Sequence, residues 1–239
     1  MEHKAFTAQG NREVNEDSYV CIERDGNYCF VVADGLGGHG KGEVASQKVV
    51  EVFEREFGTI KESCPEFLKR AFETAQADVM AMQQTADEMK TTAVVLAIVG
   101  NKLAWGHIGD SRLYHFQKGK LRQRTLDHSV AQMLSPPVRN FDADIASHPD
   151  RNRLLRVIGE KWSEPKYELS KAARFKKGDA FLLCSDGVWE LIASKKLCEL
   201  LNQSETAEEW LNSIISEVER NGQNTDMDNY TAIAVMVKC

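Results

Sequence analysis

Four aspartates in this chain stand where an apolar run meets a turn. Asp34 follows the run in FVVADG, Asp110 the one in LAWGHIGDSR and Asp186 the one in FLLCSDG, while Asp228 precedes the one in DMDNYTAIAV. A strand end fixes the backbone of the residue it carries, so an acid placed there is held rigidly. Several carboxylates brought together cannot all stay ionised without a cation. Mg2+ and Mn2+ suit such a site, since both favour all-oxygen ligands and retain water. The competing view is that strand ends carry Asp because turns favour it, and Asp25-Gly26 is read as such a turn. Recurrence at four apolar runs weakens that view without removing it.

Asp34 also opens the stretch DGLGGHG, where Gly35, Gly37 and Gly40 match the spacing G-x-G-x-x-G. A dinucleotide loop would lead through one helix into a second parallel strand ending in an acid. Here a second helical pattern follows the first, and the next strand-like run begins near Thr92. A carboxylate directly before the first glycine would also repel a pyrophosphate. The G-K-[ST] of a phosphate-binding loop is missing as well. The weight therefore falls on Asp34, with the glycines as its support.

The elements that must position these acids can be read from periodicity. YVCIER-DG-NYCFVVA, TTAVVLAIV-GN-KLAWGHIG and RLYHFQ-KG-KLRQRT read as hairpins, and FKKGDAFLLCS and YTAIAVMVK as further strands. Hairpin links predict largely antiparallel sheets. Helices are predicted over Lys41 to Phe57, Glu66 to Met89, Lys195 to Asn202 and Ala207 to Asn221, the last stopping at Gly222. Each is amphipathic and so covers a sheet face. Residues 135–150 hold three of the five prolines and no period, which predicts a long surface excursion.

The chain has 239 residues, 42% of them hydrophobic, enough for one good-sized core and a single domain over 1–239. A formal charge of -6 excludes a basic stripe for nucleic acid. The first 20 residues contain no apolar signal region, and the longest apolar run, Ala93 to Val99, is far short of a membrane span. The six cysteines form no C-x-x-C pair and read as buried thiols in a reducing cytoplasm. A soluble, cytoplasmic, free-standing monomer is expected.

Taken in order, GNREVNEDSY, VVADGLGGHGKGEVAS, TTAVV, HIGDSR, LDHS, HPDRNRLLRVIG, FLLCSDGVWE and DNYTAIAV resemble the motifs of the PP2C (PPM) metal-dependent serine/threonine protein phosphatases, in their short bacterial form. The resemblance spans some 220 residues, roughly the whole domain. It implies an α+β fold, a four-layer α/β/β/α sandwich. It implies that Asp34 bridges two Mn2+ or Mg2+ ions and that the Gly35 carbonyl reaches one. Asp186 and Asp228 would complete one ion's shell, and Glu16 would reach the other largely through water. Asp17 would lie behind them, Asp110 with Asp186 would form a third-ion site, and Asn229 would support the Asp228 loop. Arg12 would hold the substrate phosphate. Water or hydroxide bridging the ions would attack phosphorus in line, with no phosphoenzyme. Substrates would be phosphoserine and phosphothreonine proteins, made by a bacterial Ser/Thr kinase, sometimes one serving a secretion system.

The chain departs from the family at Leu36, where many eukaryotic members carry a histidine thought to protonate the leaving oxygen. His39 is either a surrogate acid or a residue of the cleft wall, and metal-bound water is the other proton source. Asp127 and His128 are expected to cap the following helix. Asp226 competes with Asp228 as a ligand, and the following Asn favours Asp228. Trp105 and Trp189 are read as core, and 135–150 as a flap that selects substrate. A catalytically dead binding module is disfavoured because every metal acid is present; a phosphatase dedicated to one regulator, such as a sigma-factor switch, stays open.

Overall fold

The computed structural model describes residues 1–37, 41–60, 62–83, 88–135 and 145–238. Strands β1 Glu2–Ala8, β2 Asp17–Arg24 and β3 Asn27–Leu36 precede helices α1 Gly42–Phe57 and α2 Cys64–Met82. Strands β4 Lys90–Thr91, β5 Ala93–Val99, β6 Lys102–Ile108, β7 Arg112–Gln117 and β8 Lys120–Arg124 follow, then a short helix, α3 Val130–Leu134. The remainder is β9 Glu168–Leu169, β10 Ala173–Arg174, β11 Asp179–Cys184, α4 Asp186–Trp189, α5 Ser194–Gln203, α6 Ala207–Gly222 and β12 Tyr230–Met236.

The strands form two sheets, one ordered β1-β12-β11-β7-β8 and one ordered β10-β6-β5-β3-β2, with β4 beside β3 and β9 beside β6. Every strand pairing is antiparallel, as the hairpins predict. The β2–β3 turn puts Asp25 and Gly26 at φ 51° and 72°, the left-handed pair that matches strand twist. Alternation then divides each central strand between two cores. Phe30, Val32, Val94 and Leu96 point into the space between the sheets, where they meet Phe181, Leu183, Ile233 and Val235. Their neighbours Val31 and Val95 face outward under Phe53, Phe67 and Phe72 of α1 and α2. On the other outer face, Trp210, Leu211 and Ile214 of α6 pack on Tyr114, Phe116 and Leu182. The result is the predicted α/β/β/α order of layers.

Two boundaries differ from the sequence reading. Helix α2 starts earlier than Glu66, because Ser63 and Glu66 form a capping box: the Glu66 carboxylate accepts from the Ser63 N–H (3.1 Å) and hydroxyl (2.7 Å). It also stops at Met82 rather than Met89, since Gln83 turns out of the helix and its Nε2 donates to the carbonyls of Met89 and Gly159, both at 2.7 Å. Asp34 lies inside β3, two residues before its end.

Among the described residues no helix is long and apolar enough to cross a membrane. The five described cysteines form no disulfide with one another, and burial pushes Cys21 up to about 12. Phe53 is fully buried and meets Phe67 and Phe72 edge-on, with ring centroids 6.1 and 5.2 Å away. Phe53→Ala is expected to cost about 3–5 kcal/mol in urea unfolding; a loss under about 1 kcal/mol would show that the α1–α2 layer is not cooperative with the sheets.

Candidate metal centre

Asp34 is fixed through its backbone. Its N–H donates to Thr92 Oγ1 (3.0 Å), and its carbonyl accepts from the Thr92 N–H (2.8 Å) and Thr91 Oγ1 (2.8 Å). Thr92 Oγ1 in turn shares a hydrogen bond with Ser111 Oγ at 2.7 Å, joining the TTAVV and GDSR segments behind the acid. The next residue must be glycine. A Cβ on Gly35 would stand 2.3 Å from the backbone of Gly42, where β3 passes the first turn of α1. Glu16 lies at the same crossing, its Oε1 accepting the Gly42 N–H at 3.2 Å, a favourable place for an anion at a helix start.

Asp110 sits in the β6–β7 connection. Gly109 before it has φ +95°, and its carbonyl accepts the His128 N–H at 2.9 Å. Trp189 Nε1 donates to the Asp110 carbonyl at 3.0 Å, and the Arg112 guanidinium stacks 3.5 Å over the Trp189 ring. Asp186 is the first residue of α4. Ser185 before it donates from Oγ to Asp17 Oδ2 at 2.7 Å, and Thr231 of β12 donates its N–H to the same hydroxyl at 3.0 Å. Asp228 is held by its successor. The Asn229 N–H donates to Asp228 Oδ1 (2.8 Å), its Nδ2 donates to the carbonyls of Gln9 (2.8 Å) and Val14 (3.0 Å), and its Oδ1 accepts the Glu16 N–H (2.8 Å). Asn229 thus ties the Asp228 loop to Glu16. Asp226 is exposed.

The acids act on one another. Burial of its carboxyl group, followed by the charges of Asp186, Asp17, Asp110 and Asp228, holds Asp34 well above the usual carboxylate range, although part of the residue faces the cleft. Asp186 is raised in the same way, by burial first and then by Asp110 and Asp228. Burial, followed by the charge of Asp127, pushes Asp110 to about 7, and burial pushes Asp17 to about 6. Glu16 is also raised, chiefly by burial. Asp17 Oδ1 is buried with no hydrogen-bond partner. Among the described residues no three of these acids bring carboxylate oxygens mutually within 4.8 Å. All-oxygen donors, raised carboxyls and an orphaned buried oxygen fit a hard divalent cation.

Arg12 lies at the edge of this group and forks onto Asp228, Nε to Oδ1 at 2.9 Å and Nη2 to Oδ2 at 2.8 Å. Asp127 does not cap α3, contrary to expectation. It pairs with the fully buried Arg112 at 2.8 and 2.6 Å, and Ser129 caps the helix by accepting the Gln132 N–H. Trp189 is buried, as expected of core, and Trp105, half-buried, packs against the core between the sheets while lining a cavity. Glu190 escaped the sequence reading. It stands one helical turn after Asp186, its charge raises both Asp110 and Asp186, and Arg151 holds it at 2.6 Å. The i, i+4 spacing from Asp186 was the available signal. That contact also gives a role to the HPDRN segment. His39 and residues 136–144 of the expected flap lie outside the described residues.

The chain belongs to the protein phosphatase 2C family, whose model matches residues 7–230. It is 34% identical over 201 residues to the serine/threonine protein phosphatase PstP of Mycobacterium tuberculosis, covering 82% of this chain but only 38% of that protein's length. It is 29% identical over 234 residues to the serine/threonine phosphatase stp of Listeria monocytogenes, covering 94% and 90%. The crystal structure of the PstP catalytic domain in complex with two manganese ions superposes with a TM-score of 0.82 at 28% identity, covering 100% of this chain and 98% of that one.

The raised carboxyls set the pH dependence of chelator-treated protein. Asp17 and Asp110 bind protons more tightly folded than unfolded, where carboxyls titrate at about 4. The stability this gives is full below that value and is lost as pH rises through about 6 and about 7. The thermal midpoint measured with chelator should therefore be higher at pH 5 than at pH 8; the reverse order would contradict the electrostatics. Separately, Asp127→Ala removes the carboxylate that pairs with the buried Arg112 charge, so a loss of about 3–5 kcal/mol is expected in denaturant unfolding.

Proposed function

We propose that this chain hydrolyses phosphoserine and phosphothreonine in proteins by direct attack of water, dependent on Mn2+ or Mg2+ and without a phosphoenzyme. The carrying observation is that Asp34 and Asp186, raised first by burial, are raised further by the charges of Asp110, Asp17 and Asp228, beside an arginine forked onto Asp228. Asp34, Asp186 and Asp228 would hold one ion and Asp34 with Glu16 a second, the Gly35 carbonyl reaching one of the two; Asp110 with Asp186 is the place for a third. Such cations supply an acidified water as nucleophile and positive charge for the phosphoryl oxygens.

The protein's own groups do the rest. Asp17, anchored on Ser185, keeps the first residue of α4 in place. Arg12 binds the substrate phosphate by turning from Asp228, because carboxylate and phosphate offer its planar fork the same pair of oxygens. No protein nucleophile is required, and Cys184, next to the site in sequence, is fully buried. His39 is the remaining candidate for the leaving-group proton. A single catalytic domain over 1–239, monomeric and cytoplasmic, opposing a Ser/Thr kinase, is the setting this reading favours. The retention of all five metal acids argues against a binding-only role.

The test is hydrolysis of p-nitrophenyl phosphate and a phosphothreonine peptide with Mn2+. Chelator should abolish it, and Asp34→Asn and Asp228→Asn should each lower kcat/KM by roughly 100-fold or more, the scale of losing a main electrostatic stabiliser. Arg12→Ala should act mainly on KM. Activity that survives chelator, or both Asn variants, overturns the reading.

A further inference from the structure

A second group of ligand-type side chains shares no member with the acid centre. His107 on β6, His128 before α3 and Glu168 on β9 place ligand atoms that all lie within 4.8 Å of one another. The two imidazoles are buried, at 4% and 6% exposure, and stacked with ring centroids 4.5 Å apart. Burial lowers His107, and burial followed by the neighbouring ring lowers His128 to about 4, so both rings are neutral at neutral pH. Neutral imidazole is the form that ligates metal.

The hydrogen bonds assign the ring nitrogens. His107 Nε2 donates to the Leu126 carbonyl at 2.7 Å, which leaves a lone pair on Nδ1. A histidine anchored to a carbonyl through one nitrogen is how proteins present the other to a metal. His128 Nδ1 accepts the Gly109 N–H at 3.2 Å. Its Nε2, which then carries the ring proton, is buried and faces Glu168 Oε1 at 3.3 Å. Arg156 Nη1 meets that same Oε1 at 3.1 Å, so Oε2 is the oxygen available to a ligand. A cavity of about 430 Å³, lined by His107, Glu168, Trp105 and Arg124 among others, gives access.

A stacked histidine pair can be purely structural, holding the Leu126 and Gly109 backbones. Three ligand-type groups with donor atoms within 4.8 Å of one another, and an open cavity beside His107 and Glu168, go beyond that role. We propose that His107, His128 and Glu168 bind a borderline transition-metal ion of the Zn2+ class, with water completing the shell. Two imidazoles and a carboxylate are a zinc donor set. The nearby cations Arg124 and Arg156 disfavour ions that bind only through charge, such as Mg2+, and leave the site to ions with strong affinity for nitrogen. Ligation needs one rearrangement. The His128 proton moves from Nε2 to Nδ1, and the Gly109 N–H gives up its bond. A single long N–H···N bond is much weaker than zinc–imidazole ligation, so the metal wins.

The test is competition of the whole protein with a chromophoric chelator for Zn2+, in excess Mg2+ to occupy oxygen-only sites. One Zn2+ site is expected, weakened at least about tenfold by Glu168→Gln and by His107→Phe, which keeps the stacked ring. The ring nitrogen-15 resonances of both histidines should move with Zn2+. Glu168 is half-exposed, so its variant keeps the test open if the histidine change unfolds the chain. Absence of a Zn2+ site under excess Mg2+, or one whose affinity both variants leave unchanged, overturns the proposal.

Discussion

Mutual repulsion among buried carboxylates is the constraint on which the rest of this structure depends. Glu16 and Asp17, Asp34, Asp110, Asp186 and Asp228 come from five separate segments, and each of the central pair, Asp34 and Asp186, feels several of the others. Bringing such groups together costs free energy, and only a rigid frame keeps them from moving apart. The frame here is the edge of the two sheets. Thr91 and Thr92 lock Asp34, Trp189 locks Asp110, Ser185 and Thr231 brace Asp17 beside Asp186, and Asn229 ties Asp228 to Glu16.

Three arginines offset the negative charge, each in a different way. Arg112 is buried and permanently committed to Asp127 while lying over Trp189, so it stiffens the wall behind Asp110. Arg151 holds Glu190 from the far side of α4. Arg12 is part-exposed and meets Asp228 at the cleft edge, the only one of the three placed to exchange a carboxylate for a phosphate. The same chemistry thus serves packing, positioning and binding, and burial decides which.

The sheets, the turn at Asp25-Gly26 and the four main helices were legible because their signals are local: alternation, turn residues and one apolar face per helix. The acids were legible for a related reason, since each sits beside an apolar run. What sequence did not reveal depended on distant partners. Asp127 next to Ser129 looks like a cap, and only the fold brings Arg112 to it. Glu190 looks like a surface helix acid until α4 is turned toward Asp110. Met89 fits the apolar period of α2, but the Gln83 side chain redirects the chain toward Gly159, 76 residues away. The convergence of His107, His128 and Glu168 joins three segments with no shared motif.

Asp34 and Asp186 hold protons more tightly than ordinary carboxyls, so a cation that binds there must displace them. Calorimetric titration of the chelator-treated protein with Mn2+, repeated at pH 6.5 (about mid-range for these groups) in buffers of different ionisation enthalpy, counts the protons released on binding. Net proton release is predicted, and it should fall in Asp34→Asn. Binding of Mn2+ with no release would mean that the carboxylates are already ionised, and would contradict the claim on which the centre is built.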